Sequence, residues 1–175
     1  MKTWPLLAAA TACLGLATAL PAQDSEPLIA DAESAAPPDL AAAATIMSWD
    51  GTVLREGDSA WTCLPTPPML GSGVAPMCMD EEWMKWGQAW MGKEPYTPGG
   101  FGVSYMLAGD GGASNVDPFA EGPTEDNDWV VEGAHLMLIL PDAAMLEGLS
   151  TDPHNGGPYV MWKGTPYAHI MVPLE

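Results

Sequence analysis

His135-Leu136-Met137-Leu138-Ile139-Leu140 gives the clearest indication of the fold, because every residue after the histidine is large and apolar. Successive side chains of a β-strand point to opposite faces, so a strand built from this stretch is apolar on both faces. Such a strand needs a packed layer on each face, as strands in the middle of a buried sheet do. The sequence therefore predicts a central strand at residues 135–140.

Strand patterns also dominate the regions around this stretch. Residues 159–172 contain two apolar runs separated by a turn at residues 163–166, which predicts a hairpin. Apolar and small residues alternate over 101–107, as expected of a half-buried strand. Asp50-Gly51 lies between two short apolar runs, and this dipeptide is typical of a tight hairpin turn. We therefore expect most strand pairs to be antiparallel.

One helix carries a row of tryptophans. Asp80 precedes two glutamates, and this order favours a helix start because Asp caps free N–H groups and the helix dipole attracts acids. Trp83, Trp86 and Trp90 recur at helical spacing and share one face. Gly92 is a typical residue for the end of such a helix. The pattern predicts a helix over about residues 81–92.

These elements together indicate an α+β protein. The alternation of strands and helices is too weak for a doubly wound sheet. Asp39 and Asp142 favour one or two further short helices, and residues 109–128 are predicted to be a long loop. We expect a single compact domain over residues 39–175, with a mostly antiparallel sheet and one main Trp-bearing helix.

The start of the chain is typical of a secretory signal peptide. Lys2 is followed by an apolar stretch that ends near Ala22, a small residue suited to cleavage. We predict a signal peptide at 1–22, a flexible lead-in at 23–38, and an exported protein in the periplasm or outside the cell. No later run is long enough to span a membrane, so no span is expected in the mature protein.

Two cysteines remain after the predicted cleavage. In an oxidising compartment, Cys63 and Cys78 are expected to form one disulfide. Because the pair is not a C-x-x-C motif, a structural bridge is favoured over a redox centre.

The charge of the chain excludes some partners. Five Lys and Arg face 23 Asp and Glu, for a net charge of −18. Nucleic acids and anionic membranes require clustered basic residues, so neither is an expected partner. The signal peptide holds one lysine and no acid, so the mature charge is −19. A solvated acidic surface explains such a charge, with cation capture as the alternative.

Four segments resemble one family. They are Leu54-Arg55-Glu56-Gly57, Ser114-Asn115-Val116-Asp117-Pro118, Gly157-Pro158-Tyr159-Val160-Met161-Trp162 and Gly164-Thr165-Pro166-Tyr167-Ala168-His169-Ile170-Met171-Val172-Pro173. Together they resemble a family of uncharacterised bacterial secreted proteins across most of the mature chain. The resemblance implies export, and it implies no activity and no site.

A soft-metal site is one functional hypothesis. By period two, His135 and Met137 share one strand face, and His169 and Met171 share another. If the two strands pair on the same face, imidazole and thioether groups converge in a set that suits Cu(I). His154 is a third candidate ligand. The alternative is that methionine fills gaps in the core and each histidine is a hydrogen-bonded structural residue.

A Ca²⁺ site is the second metal hypothesis. Asp110, Asn115 and Asp117 lie in one Gly-rich loop, and Ca²⁺ prefers oxygen ligands of this kind. The spacing does not match an EF-hand. The alternative is that these residues make local turns.

An enzyme is less expected than a binding protein. The chain has no G-x-S-x-G or H-E-x-x-H motif, and His154 has no identifiable nucleophile, so a hydrolase is the weakest hypothesis. Trp83, Trp86, Trp90 and Tyr96 are candidates for an aromatic groove, although a Trp row at helical spacing is more often core. We therefore expect a binding or accessory module for an unknown small ligand or protein, with no cofactor predicted. The alternative is a periplasmic metal-binding protein that takes Ca²⁺ through the acidic loop, or Cu or Zn through histidine and methionine.

Overall fold

The structure, a computed structural model, describes residues 22–70 and 73–174, with side chains from Ser25 onward. Residues 1–21 of the predicted signal peptide lie outside the described part. The helices are α1 (Ala22–Glu33), α2 (Pro38–Ala43) and α3 (Glu81–Gly92), with short 3-10 turns at Pro68–Leu70 and Ala143–Leu146. The strands are β1 (Thr45–Met47), β2 (Val53–Arg55), β3 (Thr62–Leu64), β4 (Met77–Met79), β5 (Gly102–Met106), β6 (Ala113–Ser114), β7 (Trp129–Val130), β8 (His135–Ile139), β9 (Tyr159–Met161) and β10 (His169–Pro173).

Eight of these strands form one sheet in the order β2-β1-β3-β4-β5-β8-β10-β9. β8 lies inside the sheet between β5 and β10, which confirms the central strand predicted from its two apolar faces. β1 and β3 run parallel, and every other neighbouring pair of the described sheet is antiparallel. The predicted α+β class, in one compact domain, is thus confirmed.

One face of the sheet packs against α3. Trp83 and Trp86 of this helix are buried against Met137 and Ile139 of β8. Gly102 of β5 makes the close approach feasible, because a Cβ there would lie 3.1 Å from Trp83 Cδ1 and 3.3 Å from Ile139 Cβ. Met137 and Ile139 belong to the alternate residues of β8 that are buried, so the period-two pattern has placed one face of the strand under the helix.

The other face is covered in part by α1. Ala32 and Ala35, in α1 and just beyond it, are fully buried with Ile46 of β1 and both cysteines. This differs from the expected flexible lead-in at residues 23–38, which the structure shows as helical over most of its length. The apolar pattern of the sequence did not predict this helix, because the residues that it buries are alanines. Their small side chains allow close packing but give no strong hydrophobic stripe.

The predicted disulfide is present. Cys63 and Cys78 stand directly opposite each other on β3 and β4, they are joined by a bond, and both are fully buried. The bridge closes a loop with a sequence separation of 15 residues. It therefore fixes the 64–77 segment to the centre of the N-terminal half of the sheet.

The other local predictions have different outcomes. Asp80 caps α3 by accepting a hydrogen bond from the Trp83 N–H over 2.9 Å. The last helical residue is Gly92, but the residue that takes the left-handed conformation at the helix end is Lys93 and not a glycine. The expected loop at 109–128 contains β6, which pairs with β7 as a separate ribbon. Within the described residues, no helix combines the length and apolar character needed to cross a membrane.

Candidate ligand-binding cleft

A cleft of about 560 Å³ lies where the ribbon of β6 and β7 meets the segments on either side of β9. It is lined by Asn115, Val116, Asp128, Thr151, Asp152, Pro153, His154, Val160 and Lys163. Asn115 and Val160 are buried and form its floor, whereas His154 and Lys163 are exposed at its rim. The volume is in the range of sites for small molecules.

Asn115 joins three segments at the floor of this cleft. Its side-chain Nδ2 donates to Asp128 Oδ2 over 2.8 Å and to the Thr151 carbonyl over 2.9 Å. Its backbone N–H donates to the Asp128 carbonyl, and its own carbonyl accepts from the Trp162 N–H. Because both partners of the side-chain nitrogen are acceptors, the orientation of the amide is determined.

The other atom of this amide lacks a partner. Asn115 is 5% exposed, and its Oδ1 is buried without a hydrogen bond to any described residue. A buried acceptor that has lost water and gained no donor costs about 1–3 kcal/mol.

The backbone around Asn115 is strained. Asp128 has a φ of 45° and Trp162 a φ of 57°, and both are hydrogen-bonded to Asn115. A bulky residue with positive φ is held in place only by its surroundings, and such residues concentrate at functional sites. Trp162 is held by its Nε1, which donates to the Ser114 carbonyl over 2.5 Å, and by stacking on Trp86.

Charges of both signs border the cleft. Asp128 and Asp152 contribute carboxylates, and Lys163 contributes an ammonium group. Asp152 Oδ1 accepts a hydrogen bond from the His154 N–H over 2.8 Å, and this bond orders the loop at the rim. The other carboxylate oxygen of Asp152 takes no part in it. The cleft thus offers acceptors and donors to one small molecule.

The three predicted metal-binding histidines lie in different settings. His135 and His169 are buried on the α3 side of β8 and β10, and His154 is exposed at the rim of the cleft. β8 and β10 do pair as the soft-metal hypothesis requires, with Met137 opposite Met171. Within residues 22–70 and 73–174, no three His, Cys, Asp or Glu side chains gather as a metal-binding group, and the site of histidine and methionine stays a prediction.

His169 sits in an aromatic environment. Its ring meets Trp83, Trp86 and Trp162 edge-on, with centroids 5.1–5.5 Å apart. Its Nδ1 donates to the Tyr167 carbonyl over 2.9 Å, because a carbonyl only accepts. Burial lowers the pKa of His169 to about 4, so the ring is neutral at physiological pH.

His135 faces Asp110 across a longer gap. Its Nε2 lies 4.0 Å from Asp110 Oδ2, is buried, and has no hydrogen bond to a described residue. Its Nδ1 donates to the Gly133 carbonyl over 2.8 Å. Burial raises the pKa of Asp110, although backbone N–H groups of Gly112 and Glu132 hydrogen-bond its Oδ1 and oppose that rise.

The three predicted Ca²⁺ ligands have separate local roles. Asp110 is engaged as above and Asn115 forms the floor of the cleft. Asp117 Oδ1 accepts from the Phe119 N–H over 2.9 Å in a turn of the kind expected for Asp before proline. The Ca²⁺ site stays a prediction. Among the described residues, no three Asp, Glu, His or Cys side chains are gathered at one point.

The predicted aromatic groove is largely interior. Trp83 is 1% exposed and Trp86 is also buried, and neither is among the residues that line the cleft. Trp90 is half-buried and donates from Nε1 to the Pro118 carbonyl, and Tyr96 donates from its hydroxyl to Glu82 Oε1 over 2.5 Å. Burial, with the charge of Glu82, raises the pKa of Tyr96.

Sequence reasoning missed most of the cleft. Asn115 and His154 were predicted from the sequence, but as metal ligands. Asp128, Asp152 and Lys163 were not predicted to bind a ligand. The one available signal was the turn-rich segment 152–158, which indicates an irregular surface without indicating what it faces.

No protein-family model, no curated protein and no solved structure matches the chain. The cleft is therefore interpreted from its own geometry and charge.

Proposed function

We propose that this protein is an exported binding module whose cleft takes a small zwitterion, either a free amino acid or a short peptide. The observation that carries the proposal is Asn115, which lines the cleft and whose Oδ1 is buried without a hydrogen-bond partner among the described residues. A ligand ammonium group is a strong donor to that atom, and a charge-assisted hydrogen bond is worth more than a neutral one.

The rim supports both ends of such a ligand. Asp128 and Asp152 favour an ammonium group, and Lys163 favours a carboxylate. Among the residues that line the described cleft, Lys163 is the only one of the chain's five Lys and Arg residues.

The proposal also includes a location, because it takes the protein to be exported. It is supported by the sequence pattern of residues 1–22 and by the disulfide between Cys63 and Cys78, which suits an oxidising compartment.

Calorimetric titration of the exported, disulfide-bonded protein tests this function. The probes are the free amino acids and a set of dipeptides, each with its N-acetyl and C-amide derivative. We expect binding of the zwitterions, with affinity lowered about tenfold or more by either modification, since each removes a charged hydrogen bond.

Matched lysine variants locate the site. Lys163→Gln should weaken binding of the free acids and leave that of the C-amides unchanged. Lys93→Gln removes an equal charge outside the cleft, where Lys93 lies over the Phe119 ring, and should change neither. Equal affinity of acids and amides for the unmodified protein would contradict the assigned role of Lys163.

A further inference from the structure

A second cavity, of about 270 Å³, lies between the turn of the β1–β2 hairpin and α3. Four of the chain's 12 methionines line it, namely Met47, Met79, Met84 and Met91. Trp49 lines it as well, and this indole is held in place by a hydrogen bond from its Nε1 to the Pro65 carbonyl. We call this cavity the methionine groove.

The groove is kept open by a glycine inside a helix. Gly87 lies one turn after Met84 and one turn before Met91 on the groove side of α3. A Cβ at this position would meet no atom within 4 Å, so no neighbour requires glycine. Glycine in a helix interior costs about 0.5–1 kcal/mol relative to alanine. The helix bears this cost where a side chain would narrow the groove.

We propose that the methionine groove binds a soft monovalent cation, Cu(I) or its analogue Ag(I). Thioethers are the uncharged ligands that such ions prefer. Met91 is 58% exposed and gives an ion access from solution, whereas Met79 is 4% exposed at the inner end. This site differs from the predicted histidine and methionine set on β8 and β10.

The surroundings of the thioethers favour a cation. Asp50 lies at the rim, and hydrogen bonds from the Ser48 hydroxyl and the Thr52 N–H lower its pKa, so it stays ionised. The indole of Trp49 supplies an electron-rich ring of the kind that attracts cations. Asp50 is the only carboxylate among the described lining residues, and hard divalent ions favour sites with more carboxylate oxygens.

Titration of the disulfide-bonded protein with Ag(I) tests the site. Ag(I) is used because it needs no reductant, so the disulfide stays intact. With ¹³C-methyl-labelled methionine, the methyl resonances of Met47, Met79, Met84 and Met91 should shift together and saturate at one ion per chain. That of Met69, which is 87% exposed and outside the groove, should stay in place.

Variants separate coordination from packing. Met84→Leu with Met91→Leu keeps the apolar volume and removes two thioethers. Ag(I) affinity should fall by more than about a hundredfold, beyond the loss that outer-shell changes cause. Met69→Leu should leave affinity unchanged. Gly87→Leu should block the groove while the protein stays folded.

Stoichiometric Ag(I) binding that survives Met84→Leu with Met91→Leu would overturn the proposal. So would a folded wild-type protein whose groove methyl resonances do not respond. Either result leaves the zwitterion cleft untouched, because the two cavities have no described lining residue in common.

Discussion

The side-chain nitrogen of Asn115 donates to Asp128 Oδ2 over 2.8 Å, across 13 residues of sequence. Asn115 and Asp128 also pair through their backbones, since the Asn115 N–H donates to the Asp128 carbonyl. The two bonds hold Asp128 at a φ of 45°. The floor of the cleft is thus fixed before any ligand arrives, which lowers the ordering cost of binding.

The strain at Asp128 is measurable. Asp128→Ala and Asp128→Gly both remove the side-chain acceptor, but only glycine adopts a positive φ without cost. We expect the glycine variant to be more stable than the alanine variant by about 1 kcal/mol. Urea unfolding of the two variants measures the difference, and equal midpoints would show that the backbone is unstrained there.

Asp80 stabilises two elements at once. Its Oδ1 caps α3 at the Trp83 N–H, and its Oδ2 accepts from the Val103 N–H of β5 over 2.7 Å. We expect Asp80→Ala to lower the free energy of unfolding by about 2 kcal/mol, because a lost cap and a lost hydrogen bond cost about 1 kcal/mol each. Asp80→Asn retains one acceptor oxygen and should lose about half as much. An alanine variant as stable as the asparagine variant would contradict the cap.

His169 makes stability depend on pH. Burial lowers its pKa from 6.5 to about 4, so between these values the unfolded chain binds a proton that the folded chain does not. The contribution of His169 to the free energy of unfolding is fully present above pH 6.5, and it is lost as the pH falls to about 4. The full effect is on the order of 3 kcal/mol.

His169→Asn isolates this effect. The amide replaces the Nδ1 donor to Tyr167 and does not titrate, so the variant should lose the part of the dependence between pH 4 and 6.5 that His169 causes. Asp110→Asn is the control in the other direction: the raised pKa of Asp110 stabilises the folded state at low pH, and that contribution is lost as the pH rises through the raised value. A slope unchanged by His169→Asn would argue against a neutral buried ring.

The disulfide should stabilise the fold substantially. The bridge between Cys63 and Cys78 closes a loop with a sequence separation of 15 residues, worth about 3 kcal/mol in the chain-entropy model. The Cys63→Ala, Cys78→Ala double variant should therefore unfold at lower urea concentration. Reduction of the wild-type protein, verified by thiol titration, should have a similar effect. An unchanged midpoint after verified reduction would refute this prediction.

Local chemistry explains what the sequence could predict. The strand at 135–140, the helix after Asp80 and the disulfide each depend on residues that are close in sequence or few in number. The helix α1 could not be predicted because alanines such as Ala32 and Ala35 carry little amphipathic signal although both are fully buried.

The cleft could not be predicted because distant segments build it. Asn115 meets Thr151 across 36 residues of sequence, and only the paired ribbon of β6 and β7 brings Asp128 beside it. The left-handed backbone of Trp162 is equally hidden, since sequence indicates such positions only where glycine or asparagine occupies them. The sequence indicated some of the residues of the cleft, but it did not indicate which residues lie next to them in space.

The most direct measurement follows the Asn115 side-chain amide by NMR while ¹⁵N-labelled protein is titrated with the panel of free amino acids and dipeptides. The side-chain amide of Asn127 is the internal control, because it is buried on the Gly122 carbonyl and does not line the cleft. We predict saturable shifts of the Asn115 amide with at least one zwitterion, shifts that need about tenfold or more of its N-acetyl derivative, and none at Asn127. An Asn115 amide that no member of the panel shifts, or one that moves only together with Asn127, would contradict the proposed binding site.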